Sequence, residues 1–305
     1  MPVFPLYDPK YAGEYGKSPD GTFYAVWKGF DGVHWPGKER RVFSYKGFEV
    51  KGSIIVGNLI KKGLGEVKKD LTAKQVMVRI NNSVRAMQTR RGLSMKKSED
   101  LCGAPLIIAK DCGDHYEVAY VGDTFALAVY RDGRIQMTKN QTLKYNIERY
   151  DEIDVCYSVA LQEAKQRGFD PKAATSEQFR AIEQEMWRQF GPILAGARMA
   201  YINNSNSELG YGVLNGQRQL EDMIITLKIS KQGLQYLMLG NSGMASLELQ
   251  RNSTPESVGR FLHDWYSRGG PSTLVKAIRA QEAQVYTPHR KGKKSDLAGL
   301  VIEMG

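Results

Sequence analysis

Thiolate and imidazole chemistry would have to come from three cysteines (Cys102, Cys112 and Cys156) and four histidines (His34, His115, His263 and His289). The cysteines show no CxxC spacing and the histidines are scattered, so the sequence offers no His/Cys metal cluster. Serine, histidine and aspartate all occur, but no nucleophile-elbow sequence unites them. Lys61-Lys62-Gly63-Leu64-Gly65-Glu66 is neither a Walker loop nor a GxGxxG turn, and the glycines of 210–216 are as loosely spaced. That second segment is expected to be a flexible connection. Cationic residues are concentrated in His289, Arg290, Lys291, Lys293 and Lys294, a run that reads either as an anion-binding edge or as a solvated loop. Trp27 and Trp35 flank a Gly-rich turn, and burial of Trp27 in a strand is the expected role.

These residues need elements to position them. The first 21 residues are rich in Pro, Gly, Tyr and Asp and are expected to form an irregular arm. Thr22–Trp27 is a β-prone run that stops at Lys28-Gly29-Phe30-Asp31-Gly32. A helix is expected within Val50–Lys62, weakened by Gly52 and Gly57. A firmer one spans Ala73–Arg90, where Val76, Met77, Ile80, Val84 and Met87 share a face. Strands are expected at Ala104–Ala109, Tyr116–Val121 and Thr124–Tyr130, the last feeding a two-residue Asp132-Gly133 hairpin with return strand Arg134–Thr138. Helices follow at about Glu152–Gln166 and Ser176–Phe190, the second with a core stripe of Phe179, Ile182, Met186 and Phe190. Strands return at Met223–Ile229 and Gln235–Leu239. Thr254-Pro255-Glu256 starts a helix with Thr as N-cap. It carries Val258, Phe261, Leu262, Trp265 and Tyr266 inward; another helix follows over Ser272–Gln284, then a closing strand at Leu297–Glu303. Strands in groups with helix pairs between them give an α+β, layered α-β-β-α pattern rather than βαβ alternation. With no repeat and no linker, residues 22–305 are expected to form one domain, with a helical insertion at about 150–201.

The hydrophobic fraction of 42% suits a buried core, and no apolar run approaches the length of a membrane helix. Met1-Pro2-Val3-Phe4-Pro5 lacks the basic and apolar regions of a signal peptide. Sparse, odd cysteines fit a reducing compartment, so an intracellular protein is expected. The net charge of +10, from 43 basic and 33 acidic residues, favours polyanionic partners. No zinc finger or RNP-type string accompanies it.

Taken as one unit, Tyr116–Thr138 resembles the type 2C metal-dependent serine/threonine protein phosphatases. The matching residues are Val121-Gly122-Asp123-Thr124, Tyr130-Arg131-Asp132-Gly133 and Met137-Thr138, and the order of parts holds from about Phe23 to Glu303. The resemblance implies a four-layer α-β-β-α sandwich. It also implies two divalent metals held by aspartates, which activate water for attack on a phosphoester. Those aspartates are where the sequence departs. Aligned on the strand end, Lys28 and Gly29 stand where the family has its bridging Asp-Gly. A frame shifted to Asp31-Gly32 restores the aspartate but loses the strand end. Ser242 stands in place of the aspartate after Gln235–Leu239, and Asn140-Gln141-Thr142 replaces a charged segment. Asp296 remains as a plausible ligand, and Gly122 with Asp123 forms a turn that is structural in the family. An ammonium repels dications and a hydroxyl poorly replaces an anionic oxygen ligand.

A catalytically inactive, pseudophosphatase-like protein without cofactor is therefore expected. Lys28, Arg290, Lys291, Lys293 and Lys294 would form an anion-binding edge, and the protein would bind an acidic assembly such as a tubulin lattice. The alternative is a divergent Mn- or Mg-dependent phosphatase whose site uses Asp31, Asp296 and Asp222 or Asp264. A nucleic-acid-associated structural protein is the third reading, testable by salt-sensitive binding.

Overall fold

The structure, a computed structural model, describes residues 2–7, 13–29, 42–45, 48–97, 100–244, 253–284 and 297–305. Two five-stranded antiparallel sheets dominate it. The first runs in the order β1 (Val3–Tyr7), β12 (Ala298–Glu303), β11 (Leu234–Asn241), β8 (Thr124–Tyr130) and β9 (Ile135–Met137). The second runs β10 (Ile225–Ser230), β7 (His115–Val121), β6 (Leu106–Asp111), β3 (Phe23–Lys28) and β2 (Gly13–Lys17). A separate ribbon pairs β4 (Val42–Tyr45) with β5 (Phe48–Lys51).

Strand alternation sorts side chains into three packed interfaces, because successive residues of a strand face opposite ways. Phe23, Ala25, Trp27, Leu106 and Ile108 face the outer helices α1 (Gly52–Gly65) and α2 (Ala73–Arg90), meeting Val56, Ile60, Met77 and Ile80. Their neighbours Tyr24, Val26 and Ile107 face the other sheet, meeting Ala126, Leu237, Leu239 and Leu300. On that sheet's far side, Leu127, Met238 and Val301 pack under Val258, Leu262 and Ile278 of α6 (Pro255–Gln284). The result is the expected four-layer α-β-β-α sandwich, with strands buried on both faces.

Helix starts follow from their caps. Thr72 and Gln75 form a reciprocal capping box on α2, with bonds of 2.8 and 3.1 Å. Thr175 and Gln178 do the same for α4 (Ser176–Tyr201). On α6 the Ser257 N–H donates to Thr254 Oγ1 at 3.2 Å, and the two helices expected there are continuous except for a break at Gly269-Gly270. Trp27 is 1% exposed, core rather than binding surface.

Several expectations need correction. Among the described residues of the stretch expected as an irregular arm, 3–7 form β1, paired with β12 from Val3↔Ile302 to Tyr7↔Ala298, and 13–17 form β2, paired with β3. Both are edge strands, where Pro5, lacking an N–H, is tolerated. The Asp132-Gly133 hairpin is a three-residue loop. The Gly133 N–H donates to the Tyr130 carbonyl at 3.0 Å and only Gly133 takes positive φ, the type I turn with a left-handed third residue. Met223 belongs to a short helix, α5 (Leu220–Met223), so β10 begins two positions later. The helical region is longer than expected: α3 spans Leu143–Gln166, and α4 runs on through Pro192 to Tyr201. Ile182 and Met186 of the predicted stripe are buried against Tyr157 and Ala160 of α3, forming a satellite core of their own.

Candidate functional site

Strand register brings one end of both sheets to a common rim. Trp27 of β3 pairs with Leu106, and Leu106 with Val121 at the end of β7. The chain then turns at Gly122-Asp123 into β8 of the other sheet, where Thr124 pairs with Asn241, the last residue of β11. The Asn241 Oδ1 accepts from the Ala298 N–H, at the start of β12, at 3.2 Å. Lys28, Gly122, Asp123, Ser242 and the start of β12 thus share this rim, where the family resemblance places its metal carboxylates.

Gly122 is required at the corner by its φ of +74° and by space, since an added Cβ would lie 2.7 Å from Pro105 Cβ. Beyond it, Asp123 is held by the turn Ser242–Met244. The Ser242 N–H donates to the Asp123 carbonyl at 2.7 Å, and the Ser242 hydroxyl donates to the Asp123 carboxylate at 2.5 Å. Lys28 closes β3 with its N–H directed to the Pro105 carbonyl at 3.4 Å. Gly29 lies against α1: a Cβ there would meet Ser53 Cβ at 2.8 Å.

Two contributors carry no sequence signature and were not anticipated. Gln141, expected only as an uncharged replacement, clamps the rim: its Oε1 accepts from the Gly122 N–H at 2.7 Å and the Gly212 N–H at 2.8 Å, and its Nε2 donates to the Met223 carbonyl at 2.8 Å. Arg198 of α4 donates through Nε to the Tyr211 hydroxyl at 3.2 Å. Tyr211 chiefly, with Tyr145 and then Asp123, raises the guanidinium pKa above its already high ordinary value against the opposing effect of burial, so the positive charge of Arg198 stands beside the rim. Such a residue is one polar position among many on a helix, and only the fold shows its neighbours.

The segment 210–216 is not a flexible connection. Tyr211, Val213, Leu214 and Asn215 are buried, and buried amides hold them. Asn203 Nδ2 donates to the Val213 carbonyl and to Asn215 Oδ1, both at 2.9 Å, and Gln88 Nε2 donates to the Asn215 carbonyl at 2.7 Å. Buried amides satisfied in this way fix one backbone path.

Of the other predicted site residues, Asp296, Arg290, Lys291, Lys293 and Lys294 lie outside the described residues, as do Asp31 and Trp35. Asp222 is exposed on α5. Burial chiefly, then Tyr266 and then Asp264 of α6, raises the Tyr236 hydroxyl's pKa, which sets Asp264 near Tyr236. Tyr236 is five residues back along β11 from Asn241, roughly 17 Å from the rim at the usual strand rise. Asp264 therefore does not belong to this site. Among the described residues, no group of three or more His, Cys, Asp or Glu side chains is arranged to hold a metal ion. The rim's described donors (an ammonium, a hydroxyl and one carboxylate already bonded to that hydroxyl) do not fit a pair of hard divalent cations.

No protein-family model matches the chain, and no curated protein does. Similar solved structures include serine/threonine phosphatase Stp1 from Staphylococcus aureus, at 12% identity and TM-score 0.48 over 100% of this chain and 94% of that one. PppA of Pseudomonas aeruginosa shows 13% identity and TM-score 0.48, covering 98% of this chain and 95% of its own. The catalytic domain of the serine/threonine protein phosphatase PstP, solved with two manganese ions, shows 12% identity and TM-score 0.47 over 98% and 95% of the respective chains.

Proposed function

We propose that this chain is a non-hydrolysing binding protein built on a phosphatase-like sandwich, which recognises an acidic partner through cations at the rim. The observation that carries the reading is the Ser242–Asp123 hydrogen bond of 2.5 Å. It engages the described rim carboxylate at the position where the resembling enzymes need an additional aspartate. Lys28, ending β3 on the same rim, has the wrong charge for binding dications and the right one for binding an anionic group. The basic run Arg290–Lys294 precedes Leu297 in the sequence, and the overall charge of +10 supports association with a polyanionic protein surface. A microtubule lattice is the partner of this kind to test first.

Co-sedimentation with microtubules tests it. Binding is expected at about 0.05 M salt and loss by about 0.5 M, as the screening length contracts to a few ångströms. The double variant Lys28→Ala/Arg290→Ala should bind several-fold more weakly. No association at the lower salt removes the acidic-lattice partner, and undiminished binding by the double variant removes the rim as the surface.

A further inference from the structure

The opposite end of the first sheet holds a second feature, independent of the rim. A cavity of about 510 Å³ lies between β1, β11, β12 and α6, with Phe4, Tyr236, Tyr266, Pro271, Glu303 and Met304 among its walls. The break in α6 forms one side: Gly270 has φ +68° and Pro271 resumes the helix. The volume falls in the range of small-ligand sites, which combine apolar walls with a few polar groups.

The polar groups here are organised. The Tyr236 hydroxyl bonds His263 Nδ1 at 2.7 Å, and that nitrogen also meets Ser267 Oγ at 3.2 Å. The Tyr266 hydroxyl donates to Glu303 Oε1, one of two carboxylate oxygens, at 2.9 Å. The two tyrosine rings stand 5.1 Å apart at 53°. Phe4, 36% exposed, adds a third ring on the edge strand. Among the described residues lining the cavity, Glu303 is the one with a charged side chain.

This combination selects by exclusion. Glu303 repels an anion. One carboxylate falls short of the six or more oxygens that a bare Ca²⁺ or Mg²⁺ takes. A neutral apolar ligand would leave the carboxylate to be desolvated without return. An organic cation meets the carboxylate and the exposed Phe4 ring, with Tyr236 and Tyr266, 2% and 6% exposed, behind them in the wall. We propose that this cavity binds an organic ammonium group, with Glu303 as counter-charge and Tyr236, Tyr266 and Phe4 as aromatic walls.

Calorimetry of the full chain with tetramethylammonium chloride, and separately with a peptide bearing a trimethylated lysine, tests the proposal and separates a free ligand from a partner's side chain. Saturable binding is expected, at least tenfold weaker in Glu303→Gln and about threefold weaker in Phe4→Ala, whose exposed position leaves folding intact. A peptide that binds more tightly than the free ion assigns the group to a partner chain; equal or weaker binding assigns it to a small molecule. The proposal is overturned if neither probe saturates below about 50 mM with wild type. Unchanged affinity in both variants, or equal binding of the neutral tert-butyl methyl ether, also overturns it.

Discussion

Ser242 holds Asp123 twice, through its N–H to the Asp123 carbonyl at 2.7 Å and through its hydroxyl to the carboxylate at 2.5 Å. The pair joins the end of β11 to the corner where the chain passes from one sheet to the other, and so ties the rim together.

Ser242→Asp replaces this donor with a second carboxylate. Two charges at hydrogen-bonding separation near a protein surface repel by about 1–4 kcal/mol. The variant should unfold at lower urea than wild type and recover stability on addition of Mn²⁺, while the wild-type midpoint does not move. An identical Mn²⁺ response in the two proteins would contradict the assignment of Ser242.

Gln88 is fully buried and its side-chain amide makes three hydrogen bonds to backbone: Nε2 donates to the Cys102 carbonyl at 3.2 Å and to the Asn215 carbonyl at 2.7 Å, and Oε1 accepts from the Cys102 N–H at 3.0 Å. Gln88→Ala leaves those groups buried without partners and should cost about 2–4 kcal/mol in urea unfolding. Hydrogen exchange in segment 203–217 should accelerate in the same variant, since one of its anchors to α2 is gone and only those of Asn81, to the Gly216 N–H and the Gln217 carbonyl, are left among the described bonds.

Gly122 and Gly133 share positive φ, but only Gly122 is crowded. Gly133→Ala should cost about 1 kcal/mol from backbone strain alone. Gly122→Ala, which adds a clash with Pro105, should cost at least about twice as much, and equal costs in urea unfolding would show that the corner can relax.

Asp20 caps the turn between β2 and β3. A hydrogen bond from the Ser18 hydroxyl, then one from the Thr22 N–H, lowers its carboxyl pKa from 3.8 to about 2. Because the folded value is depressed, its contribution is present above the ordinary value and is lost as pH falls toward 2. Asp20→Asn should therefore lose less stability than wild type between these two pH values, measured as urea midpoints. Parallel curves would contradict the linkage.

The sequence specified elements best where their pattern is local. The stripe from Val76 to Met87 marks α2 at its observed bounds, Ala73–Arg90, and Thr124–Tyr130 forms β8 as expected. The strand β1 escaped because its partner lies at the far end of the chain, where Val3 finds Ile302, whereas β2 pairs with its neighbour β3 but is built of Gly13-Glu14-Tyr15-Gly16-Lys17, which is poor in strand-favouring residues. The helix expected to end at Phe190 continues through Pro192, with Leu194 and Ala195 buried beyond it. At the rim, Lys28 and Ser242 were singled out in the sequence, and the fold brings both there. The work of Gln141 and Arg198 was not legible, because an amide bridging Gly122 to Gly212 is defined by contacts across the fold.

The central claim, that the rim binds without hydrolysing, is tested most directly by calorimetric titration of the wild-type chain with Mn²⁺ alongside hydrolysis of an aryl phosphate. The account predicts no saturable metal heat and no metal-dependent turnover. Micromolar Mn²⁺ binding with turnover that vanishes on chelation would contradict it, and would point to a metal site built from Asp31 and Asp296.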